Sequence, residues 1–331
     1  MKNVTVPAAE EGSRLDHFLA RLLPKAPKSF LYRMLRKKNI TRNGKRAEGN
    51  ERVSAGDVVT FYLSDETIAS FLADSACRAP GERHPEILFE DADVLIVSKE
   101  AGMLVQGDRT NTVSLTDIVR AELSSRTGSA ETEEAAYKAS PANRLDRNTS
   151  GIVLFGKTLA GTKALTQALR ERNVTKVYLA LTEGCGIPDG IYEAYLRKDE
   201  KTNTVEVSDT YLDGADPIRT GVKMLRTNGR ESLFAVTLYT GRPHQIRAHL
   251  SHLGNPVIGD PKYNASGKRK DIRRQMLHAF SISFPEDSAL TNLRDRTVVS
   301  PCPADMKSVI EALFGREALR EAGEGPEGNV N

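Results

Sequence analysis

Apolar residues recur along this chain with two different periods, and the change of period divides it. From 13 to 23, Leu15, Phe18, Leu19 and Leu22 fall on one helical face, with Ser13 placed to cap the start. Ser29 opens a second such stretch, where Phe30, Leu31, Met34 and Leu35 form the apolar side and Arg33, Arg36, Lys37 and Lys38 load the other. Asn43-Gly44 then predicts a tight reversal between short strands, and the run at 58–63 predicts a closing strand. Residues 1–70 therefore read as a compact α+β unit, followed over 71–85 by a linker containing Pro80-Gly81.

Beyond 86 the pattern turns to short apolar runs. A buried strand at 94–97 ends at Lys99 and is followed by a turn at Gly102; further strands are expected at 152–155, 177–181, 204–207 and 233–239. Helical periodicity marks 159–172, 243–253 and 304–314, and the polar stretch 124–141 reads as a loop. Strands outnumber helices and are often linked as hairpins. The expected class is thus α+β: a mixed, mostly antiparallel sheet with flanking helices over 86–316, preceded by the small α+β module. The Gly-, Glu- and Pro-rich residues 317–331 are expected to form a disordered tail.

Composition narrows the class. Of 331 residues, 39% are hydrophobic and 27% charged, as in a soluble globular protein. The start lacks an apolar core of signal-peptide length, and no apolar run approaches the ~20 residues that span a bilayer. A cytoplasmic address without membrane association is the expectation. Cys77, Cys185 and Cys302 are far apart and odd in number, giving neither a disulfide framework nor the paired spacing of a zinc site. The net charge of +3 hides an asymmetry: between Lys25 and Arg52 there are ten Lys or Arg against two Glu, a local +8, so the rest carries −5. A charged helix face is ordinarily just a solvated face. Here Arg42, Lys45 and Arg46 of the reversal add to Arg33, Arg36, Lys37 and Lys38, and such crowding of like charge fits a polyanion partner, RNA.

Three segments could carry chemistry. Gly151 to Thr158 matches the form of a phosphate-binding loop, but its intervening residues are Ile152-Val153-Leu154-Phe155, a strand in themselves. Phosphate needs small residues whose N–H groups turn inward. Gly151 and Gly156 read better as the ends of a buried strand. The string NRLDRNTSG at 143–151 precedes that strand. Polar residues there are ordinary turn chemistry, yet Arg144 and Arg147 flank Asp146, and the apolar strand behind makes a rigid mount. Cationic neighbours would keep Asp146 ionised, as a nucleophile requires. In the third segment Pro243 suits a helix's first turn and Gly254 its end, with Ile246, Leu250 and Leu253 facing the core and Arg247 off that face. His249 and His252, three apart, have no third metal ligand evident and are expected to pack or to face RNA.

Taken together, these strings resemble the RluA-type pseudouridine synthases. The resemblance runs in order through DVLIVSKEAG (93–102), RLDRNTSG (144–151), KVYLA (176–180), GRPHQIRAHLSHLGNPVIGDPKY (241–263) and RQMLHA (274–279). The basic module at 13–63 resembles the small RNA-binding domain of ribosomal protein S-four. The resemblance implies isomerisation of uridine in RNA, with the base detached from ribose at nitrogen and rejoined through carbon five, without metal, nucleotide or other cofactor. It casts Asp146 as the nucleophilic carboxylate, Tyr178 as the residue stacking on the target uracil, Arg247 as the partner keeping Asp146 charged and aimed, and Arg144 as filling the gap left by the flipped nucleotide. The cost of extruding a base, roughly a few kcal/mol, would be offset by stacking and phosphate contacts. Two positions depart from the family pattern: Asn143 stands where His is usual, and Pro243 where Thr is usual. The expected substrate of a monomeric enzyme is large-subunit ribosomal RNA. Transfer RNA is the enzymatic alternative, and a non-catalytic RNA-binding or ribosome-assembly factor the alternative of another class.

Overall fold

A computed structural model describes residues 2–23, 26–71, 83–107, 112–127, 138–199, 204–264 and 272–319. The described residues form two compact units, the first made mainly of those before 72 and the second mainly of those after 82. The first contains β1 (Lys2–Thr5), α1 (Leu15–Leu22), α2 (Lys28–Arg36), β2 (Ile40–Arg42), β3 (Lys45–Arg46), β4 (Val58–Phe61) and α3 (Asp65–Phe71). Its strands form an antiparallel sheet in the order β1-β4-β2-β3. Leu15, Phe18 and Leu19 of α1, and Leu31 and Leu35 of α2, pack with Ile40, Val59 and Phe61 of the sheet, the faces their spacing predicts. The β2–β3 reversal is as tight as Asn43-Gly44 implies: Arg42 pairs with Lys45, and both turn residues have positive φ (50° and 70°), the hairpin turn that favours Asn-Gly.

The two serine caps are not used. Ser13 is held earlier, its N–H donating to the Glu10 carbonyl and its own carbonyl accepting from Val53, so α1 starts after Arg14. The carbonyl of Pro27, not Ser29, accepts the first N–H groups of α2, those of Phe30 and Leu31. Of the linker expected at 71–85, residues 72–82 lie outside the described residues.

The second unit runs through β5 (Glu86–Glu90), β6 (Val94–Lys99), α4 (Leu115–Thr127), β7 (Ser140–Pro141), β8 (Ser150–Gly156), α5 (Leu159–Arg170), β9 (Thr175–Glu183), β10 (Gly190–Asp199), β11 (Thr204–Ser208), β12 (Asp216–Thr227), β13 (Glu231–Leu238), α6 (Gln245–His252), β14 (Leu277–Phe284), β15 (Arg296–Val299) and α7 (Ala304–Phe314). These strands form one sheet of eleven, β11-β10-β12-β13-β9-β14-β8-β6-β5, with β7 on β8 and β15 on β14. Every described pairing is antiparallel except β8 with β14, so the sheet is mixed as expected.

Helices cover both faces, and strand alternation explains which. Leu95 and Val97 of β6, with Val153 and Phe155 of β8, meet Leu115 and Val119 of α4, whereas Val94, Ile96, Ile152 and Leu154 meet Leu165 of α5. On β9, Leu179 and Leu181 face Met306 and Ile310 of α7, while Tyr178 and Ala180 face Ile246 and Leu250 of α6. Each such Leu, Ile or Phe contributes about 1.5–3 kcal/mol by leaving water. Gly151 and Gly156 close the two ends of β8. A β-carbon at Gly151, where φ is +111°, would sit 2.2 Å from the Ala279 carbonyl oxygen of β14. No other residue type permits that approach.

Some boundaries differ from those expected. Helix α4 takes in the start of the stretch read as a 124–141 loop, of which 128–137 lie outside the described residues. Strands β1, β5, β7, β10, β12, β14 and β15 and helices α3 and α4 have no counterpart among the expected elements. Helix α6 begins at Gln245 rather than Pro243, because His244 takes a left-handed conformation (φ 55°) at its N-cap. Of the tail, Arg316–Leu319 form a 3₁₀ turn with Ala318 buried beside Ile310, and 320–331 lie outside the described residues.

Candidate active site

Asp146 lies in the turn between β7 and β8, where the Thr149 N–H closes back on its carbonyl at 3.0 Å. Its carboxylate is part-exposed in a cleft of about 1360 Å³ shared with Arg144, Tyr178, His244 and Arg247. Arg247 Nη1 donates to Asp146 Oδ2 at 2.6 Å. The same guanidinium makes a two-pronged bond to Asp260, Nε to Oδ2 at 2.6 Å and Nη2 to Oδ1 at 2.8 Å, and its plane lies 5.3 Å from the Tyr263 ring centre. Arg247 is 5% exposed. It is off the apolar stripe, as read from the helix, but points inward to a buried acid rather than to solvent.

Asp260 is the orienting group that sequence reasoning missed. Burial alone would raise its carboxyl; hydrogen bonds from Arg247 and from the N–H groups of Lys262 and Tyr263 outweigh this and hold it below the ordinary range. Arg247 is correspondingly held charged, since its two carboxylates outweigh the cost of its own burial. A guanidinium fixed on one side by a buried acid has one free edge, and that edge fixes Asp146. A signal was available in the sequence: Asp260 stands in the same long string as Arg247, inside an otherwise apolar stretch.

The arginines adjacent in sequence do not perform this task. Arg147 Nε donates to the Gly102 carbonyl at 3.0 Å, and Arg144 is exposed at the cleft with no ion-pair partner among the described residues. The cation that meets Asp146 is instead 101 residues away. On its other oxygen, Asp146 Oδ1 faces His244 Nε2 at 3.9 Å. His244 Nδ1 is 2.8 Å from the Tyr263 hydroxyl, which itself accepts the Val205 N–H at 3.0 Å. Tyr263, held protonated by burial, therefore donates to Nδ1, leaving the ring N–H of His244 on the side of Asp146. Burial keeps His244 below its usual pKa against the pull of Asp146.

Behind the turn, Lys99 is fully buried, and its ammonium donates to the carbonyls of Glu100, Met103 and Arg147 at 2.9, 2.9 and 3.0 Å. Burial, helped by Arg274, pulls it down to about 7. Arg274 reaches the Asn148 carbonyl at 3.4 Å while forking onto Asp305, and Gln275 Nε2 donates to Thr149 Oγ1 at 3.3 Å. Asn143, at the position where the family pattern has His, accepts the Leu154 N–H at 2.8 Å and donates to the Ile152 carbonyl at 3.3 Å, tying the turn to β8. The turn is thus fixed from three directions.

Tyr178 is 8% exposed, on the cleft face of β9 opposite Leu179 and Leu181. Burial, then the nearby Asp146, raises its phenol well above 10, so it remains protonated. His249 is buried against Thr220 Oγ1 at 3.0 Å, and His252 meets Asp209 at 2.8 Å. Neither reaches the cleft. No helix among the described residues is long and apolar enough to cross a membrane, and Cys185 and Cys302 are free thiols while Cys77 lies outside the described residues.

In the first unit Arg33, Arg36, Lys37, Lys38, Lys45 and Arg46 are exposed, as a phosphate-binding surface needs. Arg42 is different: it is half-buried and donates to Asp57 Oδ2 at 2.7 Å. Asp57 also accepts from Asn43 and the Ser54 N–H, so Arg42 serves the fold of the hairpin base.

Comparison with known proteins identifies both units. The pattern of the RNA pseudouridylate synthase family matches residues 93–252, and that of the S4 domain matches residues 13–59. "Ribosomal large subunit pseudouridine synthase C" of Pasteurella multocida is 28% identical over 326 residues, 95% of this chain and 94% of that protein. "Ribosomal large subunit pseudouridine synthase D" of Xylella fastidiosa is 29% identical over 332 residues, 96% of this chain and 94% of that one. Among solved structures, "Human RNA Pseudouridylate Synthase Domain Containing 4" shares the fold with a TM-score of 0.54 and 21% identity, over 71% of this chain and 92% of that one. With the ordered motifs, the shared fold and relatives matched nearly end to end, the chain belongs to the RNA pseudouridylate synthase family of isomerases and carries an S4 domain ahead of its catalytic fold.

Proposed function

We propose that the protein isomerises uridine in large-subunit ribosomal RNA, acting as a cytoplasmic monomer without a metal or other cofactor. The observation that carries the catalytic reading is the pairing of Asp146 with Arg247, itself fixed by Asp260, on the wall of the cleft that Tyr178 lines. The substrate reading is supported by the names of the relatives matched over most of their length.

In this reading the target uridine is extruded into the cleft and its base stacks on the Tyr178 ring, while Arg144, exposed at the cleft, occupies the place it left. Asp146 acts as the nucleophile through the oxygen not held by Arg247, and the bond it makes to the nucleotide is broken again as the product forms. The bond between ribose C1′ and uracil N1 breaks, the base turns, and C1′ joins C5; the C5 proton leaves and N1 gains one, so the reaction needs no co-reactant. The S4 domain contributes sequence-blind affinity through Arg33, Arg36, Lys37, Lys38, Lys45 and Arg46. Arg42, paired with Asp57, is withdrawn from that set.

Loss of the C5 proton gives a direct assay, tritium release from RNA labelled at uridine C5. Asp146→Asn should abolish release while RNA binding persists. Release at the wild-type rate would remove Asp146 from the chemistry. Mapping pseudouridine in ribosomal and transfer RNA from cells with and without the gene tests the substrate: a site missing from transfer RNA alone would overturn the ribosomal reading.

A further inference from the structure

Lys176 stands two residues before Tyr178 on β9. Alternate residues of a strand share a face, about 6.6 Å apart, and both side chains line the same cleft. The Lys176 ammonium lies over Gly241, with Nζ 3.8 Å from where a β-carbon there would sit. Its charged neighbour is Arg172, which lines the cleft from the left-handed residue (φ 59°) just past the end of α5. Among the described residues, neither side chain has an ion-pair or hydrogen-bond partner. Among the described residues, Asp146 is the one carboxylate lining the cleft, against seven Arg or Lys, and Arg247 already holds it.

This arrangement is costly in the free protein. An ammonium withdrawn from water beside a guanidinium, with no counter-charge, is disfavoured on both counts, and both depress its pKa, burial more than Arg172. Structural cations in this molecule are compensated: Arg247, Arg274 and Arg42 each have a carboxylate, and Lys99 donates to three backbone carbonyls. Lys176 is half-buried and Arg172 exposed at the rim beside it, so a partly desolvated ammonium without a counter-charge sits where an anion from outside can reach both.

We propose that Lys176, with Arg172 beside it, is a phosphodiester-binding subsite that takes the RNA backbone phosphate next to the nucleotide whose base meets Tyr178. The proposal rests on the synthase reading for the identity of that nucleotide. The placement suits a nucleotide, whose base and backbone phosphate are separated by one sugar, with the base at Tyr178 and the phosphate one strand repeat away. It also gives the extruded backbone a fixed point, so that the ribose and Asp146 meet in one register.

The test measures equilibrium binding of the full chain to an in vitro transcript of large-subunit ribosomal RNA over a range of salt concentrations. Lys176→Gln should weaken binding roughly tenfold at low salt and lower the slope of log affinity against log salt by about 0.7, one phosphate contact. Lys176→Arg should keep the slope, and Arg172→Gln should lower it. Thermal melting separates this from a structural role: because Lys176→Gln removes an uncompensated cation, its Tm should be no lower than that of the wild type. An unchanged slope, or a lowered Tm with equal loss in Lys176→Arg, overturns the subsite. Tritium release reports the synthase reading separately. A slope change in a protein that never releases tritium would sink that reading and leave the phosphate site, whereas release with an unchanged slope would do the reverse.

Discussion

In the segment from α2 to β3, Arg36, Lys37, Lys38, Lys45 and Arg46 are exposed with no ion-pair partner among the described residues; in the cleft of the second unit, Arg247 is 5% exposed and fixed by two carboxylates. The same charge does different work in the two places. Hydrated side chains attract a polyanion from a distance and in any register, with an affinity that salt erodes. A desolvated guanidinium with a two-pronged partner adds little affinity but fixes the direction of one carboxylate. Position in sequence does not decide which role a cation takes: Arg42 lies among the exposed group yet is pinned by Asp57, and Arg147 flanks Asp146 yet bonds a carbonyl.

The sharpest way to break the comparison is Arg247→Ala. It leaves Asp260 buried without its partner, so a loss of about 3–5 kcal/mol is expected in urea unfolding, together with loss of tritium release. A variant that unfolds like the wild type would mean that Asp260 is not held by that pair.

Acid should separate the two units next. His278 and His249 are pushed down to about 4, in each case chiefly by burial. A depressed histidine contributes stability fully above its unfolded value of about 6.5 and loses it as pH falls toward the folded value. The second unit should therefore weaken between about pH 6.5 and 4, by on the order of 3 kcal/mol per histidine. In the first unit Asp16 is held at about 2: burial opposes its ionisation, but bonds from Arg14 and Tyr32 outweigh it. Its contribution is present above the ordinary carboxylate value and disappears only toward pH 2. Hydrogen exchange followed over pH checks the order, and loss of protection in the first unit before the second would contradict it.

Arg42→Gln should cost about 1–3 kcal/mol, because Asp57 loses a charged donor, and should leave the salt slope of RNA binding nearly unchanged. The smallest stability effect belongs to the combined Arg36→Gln, Lys37→Gln, Lys38→Gln variant: melting within about 0.5 kcal/mol of wild type, with the salt slope reduced by about 2. If the two variants exchange behaviours, the division between paired and free cations is wrong.

The parts of this molecule that local pattern encodes were legible in the sequence. The run Ile152 to Phe155 reads as a buried strand because both faces are covered, and α1, α2 and α7 follow from apolar spacing. Strands β10 and β12 were not legible: β10 is mostly solvent-facing, and β12 carries Arg219 between its buried positions and Lys223 and Arg226 after them. In the site, the string around Asp146 and the placement of Tyr178 could be read, whereas its support could not. Lys99 and Asp260 look like surface charges until their partners come together, and the left-handed His244 that delays α6 follows no propensity rule. Pairings across many residues leave no periodic trace.

That separation has a consequence for how the protein is made. Asp146 is aimed by a residue 101 positions later, its turn is held by Arg274 and Gln275 at a separation of 126, and β8 is tied through Ser150 to His278 at 128. Contacts so distant in sequence form late, after the loop entropy between them has been overcome. A growing chain can complete the first unit, cations included, while the residues that aim Asp146 have not been synthesised. On the proposed reading, the ability to hold RNA is acquired before the ability to alter it, and a chain cut short before Arg247 is expected to compete for substrate without turning it over.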